Sequence, residues 1–182
     1  DIVVIEGVMG LYDGLSGKTD FASTAYVAKV LDAQVILIID AGKAARSVAA
    51  MAMGYIQFDK ALKIGGIILN NVAGEKHARY IKEAFEQKIK VPIIGIISRN
   101  KELRLRERHL GLIPTDELDQ KMKKKVLDIA RSGADEISFD ALLKIIENQK
   151  KFKQLKLLKT GTKKAVTKPS LRNKIRIAVA LD

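Results

Sequence analysis

The chain contains no cysteine, which excludes a thiol nucleophile and a thiolate metal site within it and fits a reducing compartment. No stretch of ~18 or more consecutive apolar residues occurs, and no positively charged leader precedes a hydrophobic segment, so a soluble, cytoplasmic product is expected. Histidine is scarce. His77 and His109 lie far apart and lack the i, i+4 pairing of a metal-binding helix, so each reads as a surface or core-edge residue. Neither a GxxxxGKS/T phosphate loop nor a GxGxxG turn after a strand is present. Gly17-Lys18-Thr19 imitates the end of a phosphate loop, but Gly10 and Gly14 both miss the required spacing.

The net charge of +12 would ordinarily suggest a nucleic-acid partner. Its distribution argues against one. Residues 148–176 hold eleven Lys and Arg and no Asp or Glu, whereas residues 1–147 hold 22 basic and 20 acidic side chains. Basic character thus belongs to a tail, which reads as a solvated linker. Its single aromatic, Phe152, is a poor supply of base-stacking surface.

The organising stretch is DIVVIEGVMGLYDG, residues 1–14. The β-branched run Ile2–Ile5 predicts a parallel strand buried on both faces, and ligands of parallel sheets gather beyond the carboxyl ends of strands. Glu6 falls at that end, and Asp13 follows two glycines. Magnesium takes one or two carboxylates together with phosphate oxygens and water, so Glu6 and Asp13 are candidate ligands or orienting groups; two solvated loop acids are the plainer alternative. Because the chain opens on Asp inside a strand-like run, it is expected to be part of something longer.

Strand and helix patterns then alternate. Asp20 is expected to cap a helix to Leu31 with Phe21, Ala25, Ala28 and Leu31 on one face. Strands are predicted at 35–39, 65–69 and 93–97, and helices at 44–58, 77–87, 115–131, stopped by Gly133, and 138–149. This is the rhythm of βαβ units around a parallel sheet. Asn70, closing the third strand, either meets a base edge with its donor and acceptor or makes a turn. In the loop after the fourth strand, alternation of Leu103, Arg104, Leu105 and Arg106, followed by Arg108 and His109, places guanidinium groups to grip a carboxylate or phosphate, or else forms a charged edge that discourages aggregation.

These segments together resemble the cobyrinic acid a,c-diamide synthases, glutamine-dependent ATP enzymes of corrinoid synthesis. The resemblance rests on VVIEGVMGLYDG (3–14), FASTAYVAKVLDAQVILIIDA (21–41), RSVAAMAMGY (46–55), GGIILNNVAGEKH (65–77), VPIIGII (91–97) and RERHLGLIPTDE (106–117). It implies a P-loop NTPase domain similar to dethiobiotin synthetase, a three-layer α/β fold with a parallel sheet flanked by helices, here lacking its first segment. Residues 1–149 would be the C-terminal part of the ATP-dependent amidation domain, 150–174 a basic linker, and 175–182 the first strand of an absent glutamine amidotransferase domain. The implied chemistry is amidation of tetrapyrrole carboxylates through an acyl phosphate, with ATP and Mg2+ required and glutamine as nitrogen donor. Glu6 resembles the family's magnesium ligand, Asp13 the acid beside the substrate carboxylate, Asn70 the adenine contact, and Arg108 with His109 a substrate loop. The missing phosphate loop implies that this chain alone is inactive. Loss of the strand beside Ile2–Ile5 implies an exposed edge and hence a homo-oligomer. A cobyric acid synthase or nickel-sirohydrochlorin diamide synthase would share these features, and a non-catalytic ATPase-like partner-binding module is the alternative of another class.

Overall fold

The computed structural model describes residues 2–99 and 120–148, together with the backbone pairing of 107–108 and 111–112. The chain divides into residues 1–150 and 151–182, and everything described lies in the first of these. The linker at 150–174 and the strand at 175–182 expected from the sequence lie outside the described residues.

Three strands, β1 (Val35–Asp40), β2 (Ile64–Val72) and β3 (Ile93–Ser98), form a parallel sheet in the order β1-β2-β3. Each is an apolar, β-branched run that needs cover on both faces, and parallel neighbours require a crossover, which helices provide. Helix α1 (Thr24–Val30) precedes β1, α2 (Arg46–Phe58) joins β1 to β2, and α3 (Glu75–Lys88) joins β2 to β3. Glu107–Arg108 and Gly111–Leu112 pair as a short antiparallel hairpin, β4 and β5. Helices α4 (Gln120–Asp135) and α5 (Phe139–Glu147) follow.

The main core lies between the sheet and the pair α2 and α3. Leu37 and Ile39 of β1, Ile67, Leu69 and Val72 of β2, Val48 and Ala52 of α2, and Ile81 and Phe85 of α3 form one buried cluster. Each large aliphatic side chain there contributes about 1.5–3 kcal/mol by leaving water. Across the sheet, α5 packs on β2 and β3. Gly65 and Gly66 allow that approach: a Cβ on Gly66 would sit 3.0 Å from the side chains of both Ile145 and Ile94. Cover on this face stops short of β1, where Ile38 is 63% exposed.

Several elements depart from the sequence-based expectations. Ile2–Ile5 forms no strand and is exposed, Val4 to 90%. A β-branched run supplies propensity but not the hydrogen-bonded neighbour that makes a strand, and no described strand pairs with this one. Helix α1 starts later than expected, because its cap is Ser23, whose Oγ accepts from Tyr26 N at 3.1 Å. Phe21 therefore stays half-exposed outside the helix, while Ala25 and Ala28 are buried as expected. β2 runs on through Asn70 and Asn71 to Val72, since parallel pairing to Asp40 and Ser98 outlasts the apolar run. Gly133 lies inside α4 with open space around it, so nothing ends the helix there.

Candidate functional site

Asp40, Asn70 with Asn71, and Ser98 with Arg99 stand at the carboxyl ends of the three parallel strands, with Asp40 in register with Asn70 and Val72 with Ser98. This is the end of an α/β sheet where backbone runs out of pairing partners and ligands collect. A compact polar node forms there around Gly42, the second residue after β1. Its N–H donates to Asp40 Oδ1 at 2.8 Å, and its carbonyl accepts from Arg99 Nη2. Asn71, in the left-handed region at φ 60°, donates from its side chain to the Asp40 carboxylate. These bonds to Gly42 and Asn71, reinforced by the nearby Arg99 and Lys43 charges, hold the Asp40 carboxyl below its ordinary value. A side chain on Gly42 would meet Asp40 Oδ1 at 3.0 Å, Arg99 Nη2 at 3.1 Å and Asn71 Cβ at 3.3 Å, so the node has no room for one.

Next to Asn71 the chain enters α3, and His77 fastens that turn. Its Nδ1 accepts from Ala73 N at 3.0 Å, which leaves Nε2 to donate to the Ala44 carbonyl at 2.8 Å. The half-buried imidazole thus ties the loop after β1 to the loop after β2, in keeping with a core-edge histidine. A shallow, open depression lies beside it, lined by Ala73, Gly74, Glu75, Lys76, His77 and Tyr80. Asn70 turns its Oδ1 to Asn71 N at 2.9 Å, which leaves its Nδ2 amide protons for another acceptor.

The opening loop is a second cluster. Leu11 O accepts from Ala25 N at 2.9 Å and Leu15 N donates to Phe21 O at 3.1 Å, fastening residues 11–15 to the start of α1. Tyr12 stacks on Tyr55 with 6.0 Å between ring centres, lies 4.7 Å from Phe58, and donates its hydroxyl to Tyr55 O at 2.6 Å. Burial first, and then the Asp59 charge, raise the Tyr12 phenol above its usual value. Lys29 spans Asp20 and Asp59 at 2.5 Å each, and these bonds raise the Lys29 ammonium further. Asp13 is exposed, with its carboxylate folded over the α-carbon of Gly10.

Glu6 is likewise exposed, and among the described residues no three acidic or histidine side chains gather as a metal cluster. A magnesium ion bound mainly by polyphosphate and water needs only one or two carboxylates, and two unencumbered acids on one glycine-rich loop suit that oxygen chemistry. Asn70 belongs to the node at the sheet end. Arg108 lies in the β4–β5 hairpin, of which only the backbone is described, and His109 is outside the described residues. Arg99 and Asn71 escaped the sequence reading, because neither sits in a charged or glycine-rich motif; only the acid ending β1 marked the place.

Residues 1–106 match the AAA domain family. Over its whole length the chain is 39% identical to a cobyrinate a,c-diamide synthase of Synechococcus, of which it covers 38%, and 40% identical to the Listeria innocua enzyme of that name, also covering 38%. Over 79% of its length it is 42% identical to a hydrogenobyrinate a,c-diamide synthase of Streptomyces coelicolor, covering 29% of that protein. The chain therefore spans less than two fifths of the curated relatives it matches. No solved structure matches it. The three parallel strands between helices agree with the α/β fold of a P-loop NTPase.

Proposed function

The chain belongs to the AAA domain family, and from that membership we propose that it is the base- and acceptor-side portion of an ATP-dependent diamide synthase acting on a corrinoid. The observation that carries this is the likeness to diamide synthases along the entire chain, joined to a polar node at the carboxyl ends of its parallel strands. In the reaction, a side-chain carboxylate oxygen of the macrocycle attacks the γ-phosphorus of ATP and ADP departs. Ammonia released from glutamine then attacks the acyl carbon and phosphate leaves, so one carboxylate becomes one amide. The cycle repeats on a second carboxylate.

Each residue has a part in this reading. Glu6 holds Mg2+, which neutralises charge on the phosphates when bound. Asp13 lies beside the acceptor carboxylate, Asn70 meets the adenine edge, and Arg108 with His109 face the tetrapyrrole. No phosphate loop occurs in this sequence, so the chain by itself does not turn over. Its exposed Ile2–Ile5 and the bare face of β1 are surfaces that another copy or chain covers in the working assembly.

In the full-length protein that contains this chain, Glu6→Gln keeps the size of the side chain and removes the charge. Glutamine-dependent amidation of a corrinoid acid is expected to fall by about 100-fold or more, on the scale of losing one electrostatic stabiliser. Undiminished turnover at limiting Mg2+ removes Glu6 from the metal site. Turnover without ATP consumption removes the ligase reading altogether.

A further inference from the structure

Asn70 can discriminate adenine from guanine only if its amide is held one way round. Adenine offers an N–H donor at the position where guanine offers a carbonyl acceptor. With Oδ1 facing the exocyclic amine and Nδ2 facing a ring nitrogen, adenine is accepted and guanine meets oxygen against oxygen. Flipped by half a turn, the same side chain accepts guanine instead. An unrestrained asparagine therefore has no strong preference.

The structure contains the restraint. Asn70 Oδ1 is engaged by the main-chain N–H of Asn71 at 2.9 Å, which an Nδ2 group in its place would repel. That N–H points correctly because Asn71 is in the left-handed region, at φ 60°. Asn71 in turn is tethered by its own side chain to the Asp40 carboxylate. Asp40 is fixed by Gly42 N at 2.8 Å, and Gly42 by Arg99 through its carbonyl. The links run from β3 to the loop after β1 and then to the end of β2. Each is a hydrogen bond, and the absence of a side chain at Gly42 is what lets them meet.

We propose that Asp40 and Asn71 are positioning residues that lock the Asn70 amide in the adenine-accepting orientation and so set the choice of nucleotide. This rests on the reading that Asn70 meets the base. Neither residue needs to touch the nucleotide.

The test uses the full-length protein and measures kcat/KM for ATP and for GTP with corrinoid acid and glutamine saturating, in Asp40→Ala, Asn71→Gly and Asn70→Ala. Glycine accepts φ 60° without strain, so Asn71→Gly removes the tether while keeping the backbone. It decides the matter if Asp40→Ala fails to fold. Loss of one orienting hydrogen bond is expected to lower the ATP-to-GTP ratio about 2- to 13-fold, with GTP turnover rising in absolute terms. Asp40→Asn, which retains an oxygen for Gly42 N–H, is expected to recover part of the preference. A merely structural role would depress both nucleotides together and leave the ratio unchanged, and that result overturns the proposal. If Asn70→Ala changes the ratio while Asp40→Ala and Asn71→Gly do not, the base contact stands and the lock is refuted. If Asn70→Ala leaves the ratio untouched, the base contact itself is wrong and the lock falls with it.

Discussion

Gly10 and Gly14 flank Asp13, and the structure assigns them opposite consequences on substitution. A Cβ on Gly14 would press well inside the contact distance of the Phe21 carbonyl oxygen and lie 3.0 Å from Ser23 N. Both are main-chain atoms, so no rotamer change relieves the clash. Leu15 N bonds to that same Phe21 oxygen at 3.1 Å, and Ser23 is the buried cap of α1. Overpacking and the lost hydrogen bond together make Gly14→Ala cost about 2–4 kcal/mol of local stability. Native-state hydrogen exchange reads this directly: protection of the Leu15 and Ala25 amides is expected to drop about 30- to 900-fold. The Ile67 amide, bonded to Pro92 O at 2.9 Å in the sheet, serves as the unaffected reference. For Gly10→Ala the obstacle is the Asp13 carboxylate, the free end of an exposed side chain. It swings aside, so exchange at Leu15 stays unchanged. In the full-length enzyme, however, the displaced acid is expected to lower kcat by about 100-fold. Equal loss of protection in both variants would refute the claim that main-chain collision, and not side-chain crowding, sets the stability cost. Full activity in Gly10→Ala would refute the placement of Asp13 at the reaction.

Two further outcomes test the core and its electrostatics. Leu69→Ala, in the middle of the central strand and fully buried, is expected to destabilise by about 2–5 kcal/mol; a loss under about 1 kcal/mol in urea unfolding followed by circular dichroism would contradict its place in the core. The Asp59 carboxyl is held below its ordinary value by Lys29 first and then by Ala61 N–H, so its stabilising effect is complete above the unfolded carboxylate pKa of about 3.9 and disappears as pH falls through the lower folded value. Asp59→Asn should therefore lose stability at neutral pH and show a shallower decline in acid than the parent, and identical acid slopes would remove Asp59 from the balance.

The alternation of apolar runs with amphipathic or alanine-rich segments determined by itself that this is a parallel α/β protein. Burial in a two-sided sheet demands continuous β-branched residues, and crossovers demand helices of about the observed length. It also located β1, β2, β3, α2 and α3 to within a few residues, and it made the EGVMGLYDG loop and Asn70 visible as chemistry. Only the tertiary structure decided whether a run of suitable composition becomes a strand. Ile2–Ile5 has the right residues yet pairs with no described strand, because strand formation is settled by the neighbour that accepts its hydrogen bonds. Likewise Asp40, Asn71 and Arg99 are 28 or more positions apart in sequence, and nothing local links them. They meet because parallel strands bring all their carboxyl ends to one edge, where a glycine leaves room for three side chains to share its peptide.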